Sequence, residues 1–139
     1  MRGGRAEELD GLKLLLAVAL GGALGAVARY GFGAWVQQWA GAGFPWGTFV
    51  VNVLGCLGLG VVLGLLGATP RGGALAAFLT IGVLGAFTTF STFSWETVAL
   101  VQNGQYLKAA LYLSGSVAVG FLALVAGLGL TGALFLAEA

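Results

Sequence analysis

The sequence predicts an all-α membrane protein with four transmembrane helices, and three observations lead there. Hydrophobic residues fill 59% of the 139 positions and charged residues only 8%, with a mean hydropathy of +1.00. A water-soluble surface carries roughly 25–35% charged residues, so lipid must solvate much of this chain. Apolar runs recur four times, each reaching the ~20 residues that a bilayer requires. Glycine is abundant, 26 in all, and pairs such as Gly21 with Gly25 and Gly60 with Gly64 stand four apart, as do Ser116 and Gly120. That spacing lets helix backbones approach closely inside a membrane.

Residues 1–11 form a short charged N-terminal segment, and 12–139 form one four-helix transmembrane domain. The first span begins near Leu12 and runs past Arg29 toward Trp35. A helix from Leu12 to Arg29 climbs roughly 27 Å, which places Arg29 near the far boundary. Tyr30, Trp35 and Trp39 then read as an interfacial belt. The same start resembles a cleavable leader, with Ala26-Val27-Ala28 as its site. Three acids crowd its basic region and the apolar pattern continues past that site, which favours a span. A loop at 41–45 follows, and Pro45 suits the first turn of the next helix. The second span covers 46–68 and is ended by Thr69-Pro70-Arg71. The third covers 73–101, a turn lies around 102–105, and the fourth covers 106–136.

An even number of spans puts both ends of the chain on one side of the membrane. Arg2, Arg5, Lys13 and Arg71 fall on that side, Arg29 and Lys108 on the other. The excess of positive charge favours cytoplasmic ends, but only weakly. A net charge of +1 gives no basic surface for nucleic acid. The single Cys56 excludes an intrachain disulfide. With no His, and three of the five acids within positions 7–10, little material remains for a transition-metal cluster. No nucleophile–base pair is visible, so an enzyme is not expected. A glycine-rich nucleotide fingerprint would need a preceding strand, and none is predicted.

The stretch 82–96, GVLGAFTTFSTFSWE, stands out within the third span. Thr88, Thr89, Ser91, Thr92 and Ser94 are interleaved with Phe87, Phe90 and Phe93. On a continuous helix Thr88, Thr92 and Glu96 fall at i, i+4 and i+8, with Ser91 and Trp95 beside them. Thr48 and Asn52 share a face of the second helix, and Tyr112 and Ser116 a face of the fourth. Two readings compete. Each hydroxyl could bond the carbonyl one turn back, as Ser and Thr do in membrane helices. Alternatively, these stripes of neutral N–H and O–H donors line a water-poor path for a small anion. Phenyl rings, with their positive edges, suit the second reading. Glu96 and Arg29 each read either as an interfacial anchor or as a vestibule charge, the latter raising the local anion concentration.

These residues resemble the small Fluc/CrcB fluoride channels of bacteria. The resemblance covers nearly all of the chain after Asp10. Its parts are GGALGAVARY at 21–30, GTFVVNVLG at 47–55, GAFTTFSTFSWE at 85–96, and Tyr112 with Ser116. It implies a dual-topology homodimer in the bacterial inner membrane, with two antiparallel subunits, two fluoride pores and a third helix broken at its centre. By that resemblance the carbonyls of Gly85 and Thr88 hold a structural sodium ion at the dimer interface, and Phe90 and Phe93 present ring edges to fluoride. Asn52 is the pore asparagine, Ser91, Thr92, Tyr112 and Ser116 form the hydroxyl track, and Arg29 and Glu96 are the charged positions. Gly82 and Gly85 would ease the break, since glycine weakens a helix by about 1 kcal/mol relative to alanine. Gly120 departs from the family pattern, which often has a hydroxyl one turn after Ser116.

The implied activity is passive export of fluoride, which lowers fluoride toxicity in the cytoplasm. A small proton-coupled multidrug exporter is one rival, but it would want an acid inside the first span, and none lies between Lys13 and Arg29. A non-transporting membrane scaffold is the other.

Overall fold

A computed structural model describes residues 2–66 and 73–132, with side chains from residue 7 onward. The described residues form helices only: α1 (Arg2–Ala40), α2 (Trp46–Leu66), α3 (Gly73–Ala76), a π-helical stretch (Ala77–Leu84), α4 (Gly85–Phe87), α5 (Phe90–Gln102) and α6 (Tyr106–Leu130). They group into four spans long and apolar enough to cross a membrane: Glu7–Ala40, Trp46–Leu66, Gly73–Gln102 and Tyr106–Leu130. The protein is therefore a multi-pass, all-helical membrane protein. The expected stop at Thr69-Pro70-Arg71 and the last part of the fourth span, 133–136, lie outside the described residues.

The 39 residues of α1 run unbroken from Arg2. At 1.5 Å per residue the helix is about 58 Å long, nearly twice a hydrocarbon core. It ends where Gly41 turns into the left-handed region at φ 84° and its N–H closes on the Gln37 carbonyl at 3.1 Å, an αL cap that glycine adopts without steric cost. The first span, expected to run past Arg29 toward Trp35, does so. The helix continues to Ala40, and Arg29 lies beside the third span, where its Nε donates to the Ala86 carbonyl at 3.0 Å.

Small residues decide which helices touch. Gly21 and Gly25 of α1 bring its backbone against the π-helical stretch: a Cβ at Gly21 would land on the Phe78 carbonyl, and one at Gly25 on the Val83 carbonyl. Gly82 faces Gly21 from the other side. Gly60 of α2 and Gly127 of α6 make a second close crossing, each against the other helix's backbone. Gly47 and Gly33 join α1 to α2 in the same way. Without Cβ atoms these backbones gain dispersion contact that bulkier residues would prevent. The second half of the third span packs differently. Its buried cluster is Phe93, Leu100, Ala109 and Tyr112, with Phe44 and Phe49 against it.

Candidate functional site

The third span is interrupted at two residues. Thr88 (φ −78°, ψ 157°) and Thr89 (φ −147°, ψ 118°) are extended, between α4 and α5. The interruption falls three residues after Gly85, which is itself helical (φ −64°, ψ −37°). Gly82 and Gly85 are thus not the residues that leave the helix, and Gly82 serves the close crossing with α1. Two β-branched threonines take the extended conformation instead, which suits them. The register of the hydroxyls changes as a result. Thr88 does not continue the stripe of Thr92 and Glu96, because the ladder between them is cut.

Several of the backbone groups freed by the interruption find partners outside their own helix ladder. The Thr89 N–H, which a continuous helix would give to Gly85, goes instead to Asn52 Oδ1 at 2.8 Å. Asn52 Nδ2 donates back to the Thr89 carbonyl at 3.1 Å. One side-chain amide therefore clamps both polar groups of one residue, as a neighbouring strand would. The Thr92 N–H, which Thr88 would accept, goes to Thr89 Oγ1 at 3.2 Å. Thr89 is the N-cap of α5, and its hydroxyl donates to Thr92 Oγ1 at 3.0 Å and lies 3.4 Å from Ser91 Oγ. Ala86, one residue past Gly85, receives the Arg29 guanidinium. Such partners are what allow a non-helical backbone at membrane depth.

Further along α5, Glu96 joins three elements. Its Oε1 accepts from Thr48 Oγ1 of α2 at 3.0 Å, and its Oε2 accepts from Tyr112 Oη of α6 at 2.6 Å. The short second distance is that of a hydrogen bond to a carboxylate. Tyr112 is fully buried, and its ring packs on Phe93 at 5.1 Å and edge-on to Phe44 at 5.3 Å.

Two clefts flank the interruption. One, of about 240 Å³, is lined by Arg29, Thr48, Thr89, Thr92 and Glu96 among others. The other, of about 290 Å³, takes in Asn52, Gly85, Thr88, Phe90, Phe93 and Ser116. The residues singled out in the sequence are thus divided between two neighbouring spaces that Thr89 lines on both sides. Ser116 Oγ is buried without a hydrogen-bond partner and borders the second cleft. Gly120, one turn on, sits against Cys56 Sγ. Phe90 and Phe93 differ sharply: Phe90 is 80% exposed and Phe93 6%, with their rings 5.8 Å apart.

Some hydroxyls follow the modest alternative. Thr80, Ser94, Thr97 and Ser114 each donate to the carbonyl four residues back, at 2.7–2.8 Å, and Thr88 does so to Leu84 at 3.2 Å. Two contributors were missed. Thr89 received no role, although a threonine just before an apolar helical run is an N-cap signal. Thr48 was noted beside Asn52 without its link to Glu96, which no local pattern encodes.

Fold and site together define a polytopic helical membrane protein with a polar interior gathered at an interruption of one span. The chain belongs to the CrcB-like family: the model described as "CrcB-like protein, Camphor Resistance (CrcB)" matches residues 16–128. Among similar curated proteins, one from Thermus thermophilus is 52% identical over 124 residues, covering 89% of this chain and 98% of the relative. One from Chloroflexus aurantiacus is 45% identical over 117 residues, covering 84% and 93%. One from Novosphingobium aromaticivorans is 50% identical over 113 residues, covering 80% and 90%. Each of these relatives is named "Fluoride-specific ion channel FluC".

Proposed function

We propose that this chain is a fluoride channel, not an enzyme, that lets fluoride leave the bacterial cell passively across the inner membrane. The observation that carries the reading is the interrupted third span, around which neutral donors and phenyl rings converge from three of the four spans. Fluoride is small and holds its water tightly, so a path for it must replace water with other donors at every step. Conduction also requires that no single site hold the ion too strongly. Ser91, Thr92, Ser116 and the second N–H of Asn52 are neutral donors of that kind, and the edges of Phe90 and Phe93 add a weak positive surface. Arg29 and Glu96 act as vestibule charges on the cleft they share. Family membership and the names of the relatives support the same substrate.

The finer reading is an antiparallel, dual-topology homodimer with a third helix broken at Thr88–Thr89. The exposure of Phe90 and of the Gly85 face supports a second copy seated there. The Gly85 and Thr88 carbonyls have lost the N–H groups a continuous helix would supply. Hard backbone oxygens of this kind fit a monovalent cation, and the same pair from a second copy would complete a small oxygen cage for sodium. Sodium would neutralise the carbonyl dipoles and hold the two breaks together.

Efflux from liposomes holding the purified protein tests the function. Fluoride should leave rapidly and chloride should not. Comparable chloride efflux, or none of either ion, would overturn the reading and leave the scaffold alternative. Dual topology predicts that a cysteine added beside Lys108, with Cys56 replaced, labels from both sides of the membrane. Thr88→Ala should leave sodium dependence intact, since carbonyls and not the hydroxyl hold the ion, and a fixed sodium-to-fluoride flux ratio would rule out a purely structural sodium.

A further inference from the structure

Gln37, near the end of α1, uses its side-chain amide three times. Nε2 donates to the Gly41 carbonyl at 2.5 Å and to the Phe44 carbonyl at 3.1 Å, and Oε1 accepts the Gly47 N–H at 3.0 Å. Gly47 is in the first turn of α2, where N–H groups have no partner within their own helix. One side chain thus closes the end of α1, holds the 41–45 connection and caps the start of α2.

Both ends of this clamp lead to Glu96. Thr48 follows Gly47 and donates to Glu96 Oε1. Phe44 packs edge-on to the ring of Tyr112, which donates to Oε2. The cleft that runs in to Thr89 and Arg29 has a neighbour of about 330 Å³ on the side of the connections, lined by Asn103 and Gln105 among others. Among the described residues, Gln37 and Glu96 alone line both spaces.

We infer that Gln37 is a positioning residue for ion passage: it pins the 41–45 connection and the first turn of α2, and so holds Thr48 and Tyr112 around Glu96 where the two clefts adjoin. The wall between the clefts then has a fixed width, and the donors around the carboxylate a fixed direction. A loosened connection would let Phe44 and Thr48 move together, because the clamp binds the backbone at Phe44 itself and at Gly47, next to Thr48. This inference rests on the chain's conducting fluoride, and the two fail separately: a parent protein without fluoride efflux defeats the functional reading, whereas a conducting parent leaves Gln37 to be judged by its own variants.

The test is a double-mutant cycle read as fluoride efflux from liposomes. Gln37→Met keeps the length of the side chain and removes its polar atoms. It should slow efflux about tenfold, as expected when hydrogen bonds that fix a transport barrier are lost. In a Glu96→Gln background, or in Thr48→Val if that variant does not conduct, the same substitution should change efflux by less than about twofold, because residues acting through one another are not additive. If Gln37→Met does not assemble, Gln37→Asn keeps the amide one methylene short and should slow efflux about threefold with the same dependence on background. Parent-level efflux from the variant that assembles overturns the inference. So does an equal loss in both backgrounds, which would make Gln37 a general support of the fold.

Discussion

The two halves of the third span are held by opposite means. From Gly73 to Phe87 the chain is fastened by close approach: Gly82 meets Gly21, and the Val83 carbonyl faces Gly25. From Phe90 to Gln102 it is fastened by direction: Glu96 takes one hydrogen bond from α2 and one from α6, and Phe93 is buried against Tyr112. The first mode tolerates no added atom but asks nothing of polarity. The second tolerates shape but demands the correct donor. Thr88 and Thr89 lie at the junction, where Thr88 sits close against Gly55 of α2 and side chains of α1 and α2 supply the missing partners. A span built this way can stay interrupted at membrane depth without either half unravelling.

Substitutions can break this contrast in order of expected effect. Gly25→Val should be the most damaging, costing about 3 kcal/mol or more, because two backbones would have to separate. Gly22→Ala, where an added Cβ meets nothing within 4 Å, should behave like the parent. Denaturation midpoints of the two purified proteins in detergent would compare them, and equal midpoints would deny that close approach fastens the first half. Asn52→Leu comes next. It leaves the Thr89 N–H and C=O unpaired, for roughly 2–3 kcal/mol, and should abolish fluoride efflux even in protein that still assembles.

The phenylalanines sharpen the comparison within the second half. Phe93→Ile should lower stability by about 1–1.5 kcal/mol, since a buried ring loses two aromatic neighbours. Phe90→Ile should change the stability of the single chain by less than about 0.5 kcal/mol, as at an exposed site. If both rings meet the anion, each variant should still assemble like the parent while fluoride efflux falls sharply, and Phe87→Ile should be better tolerated. Undiminished efflux through both would reduce the rings to packing. The smallest effect belongs to Ser94→Ala. It removes only a bond to the Phe90 carbonyl and should alter stability by less than about 0.5 kcal/mol and efflux not at all.

Four apolar spans were legible because membrane solvation writes itself into composition. Gly21, Gly25 and Gly60 were legible as packing residues because close approach leaves only a small set of residue types. That Asn52, Thr92, Phe90, Phe93 and Glu96 stand out was legible from their unusual density and from family resemblance, but their division between two clefts was not. The part played by Asn52 in the interruption was not, because glycine propensity says only that Gly82 and Gly85 ease a break, whereas Asn52, 37 residues earlier, offers an amide to Thr89. The reach of Arg29 to Ala86 and of Gln37 to Gly47 stayed hidden for the same reason: a side chain that bonds a distant backbone leaves no periodic trace. Tyr112 and Ser116 share a face of the fourth span, yet the Tyr112 hydroxyl turns to Glu96 while Ser116 borders the cleft that Phe90 and Phe93 line.

The cap of α5 gives this part of the molecule a sense of direction. A hydroxyl has one proton. Thr89 spends its own on Thr92 Oγ1, while its lone pairs face the Thr92 amide. The Thr92 proton therefore points away from Thr89, and the Ser91 hydroxyl stays free to turn toward Thr89 or outward. The Thr92 hydroxyl is thus oriented through a backbone amide that cannot rotate, while the Ser91 hydroxyl keeps its freedom. Whatever passes Thr92 meets a vector already set, like a compass needle held by a fixed magnet.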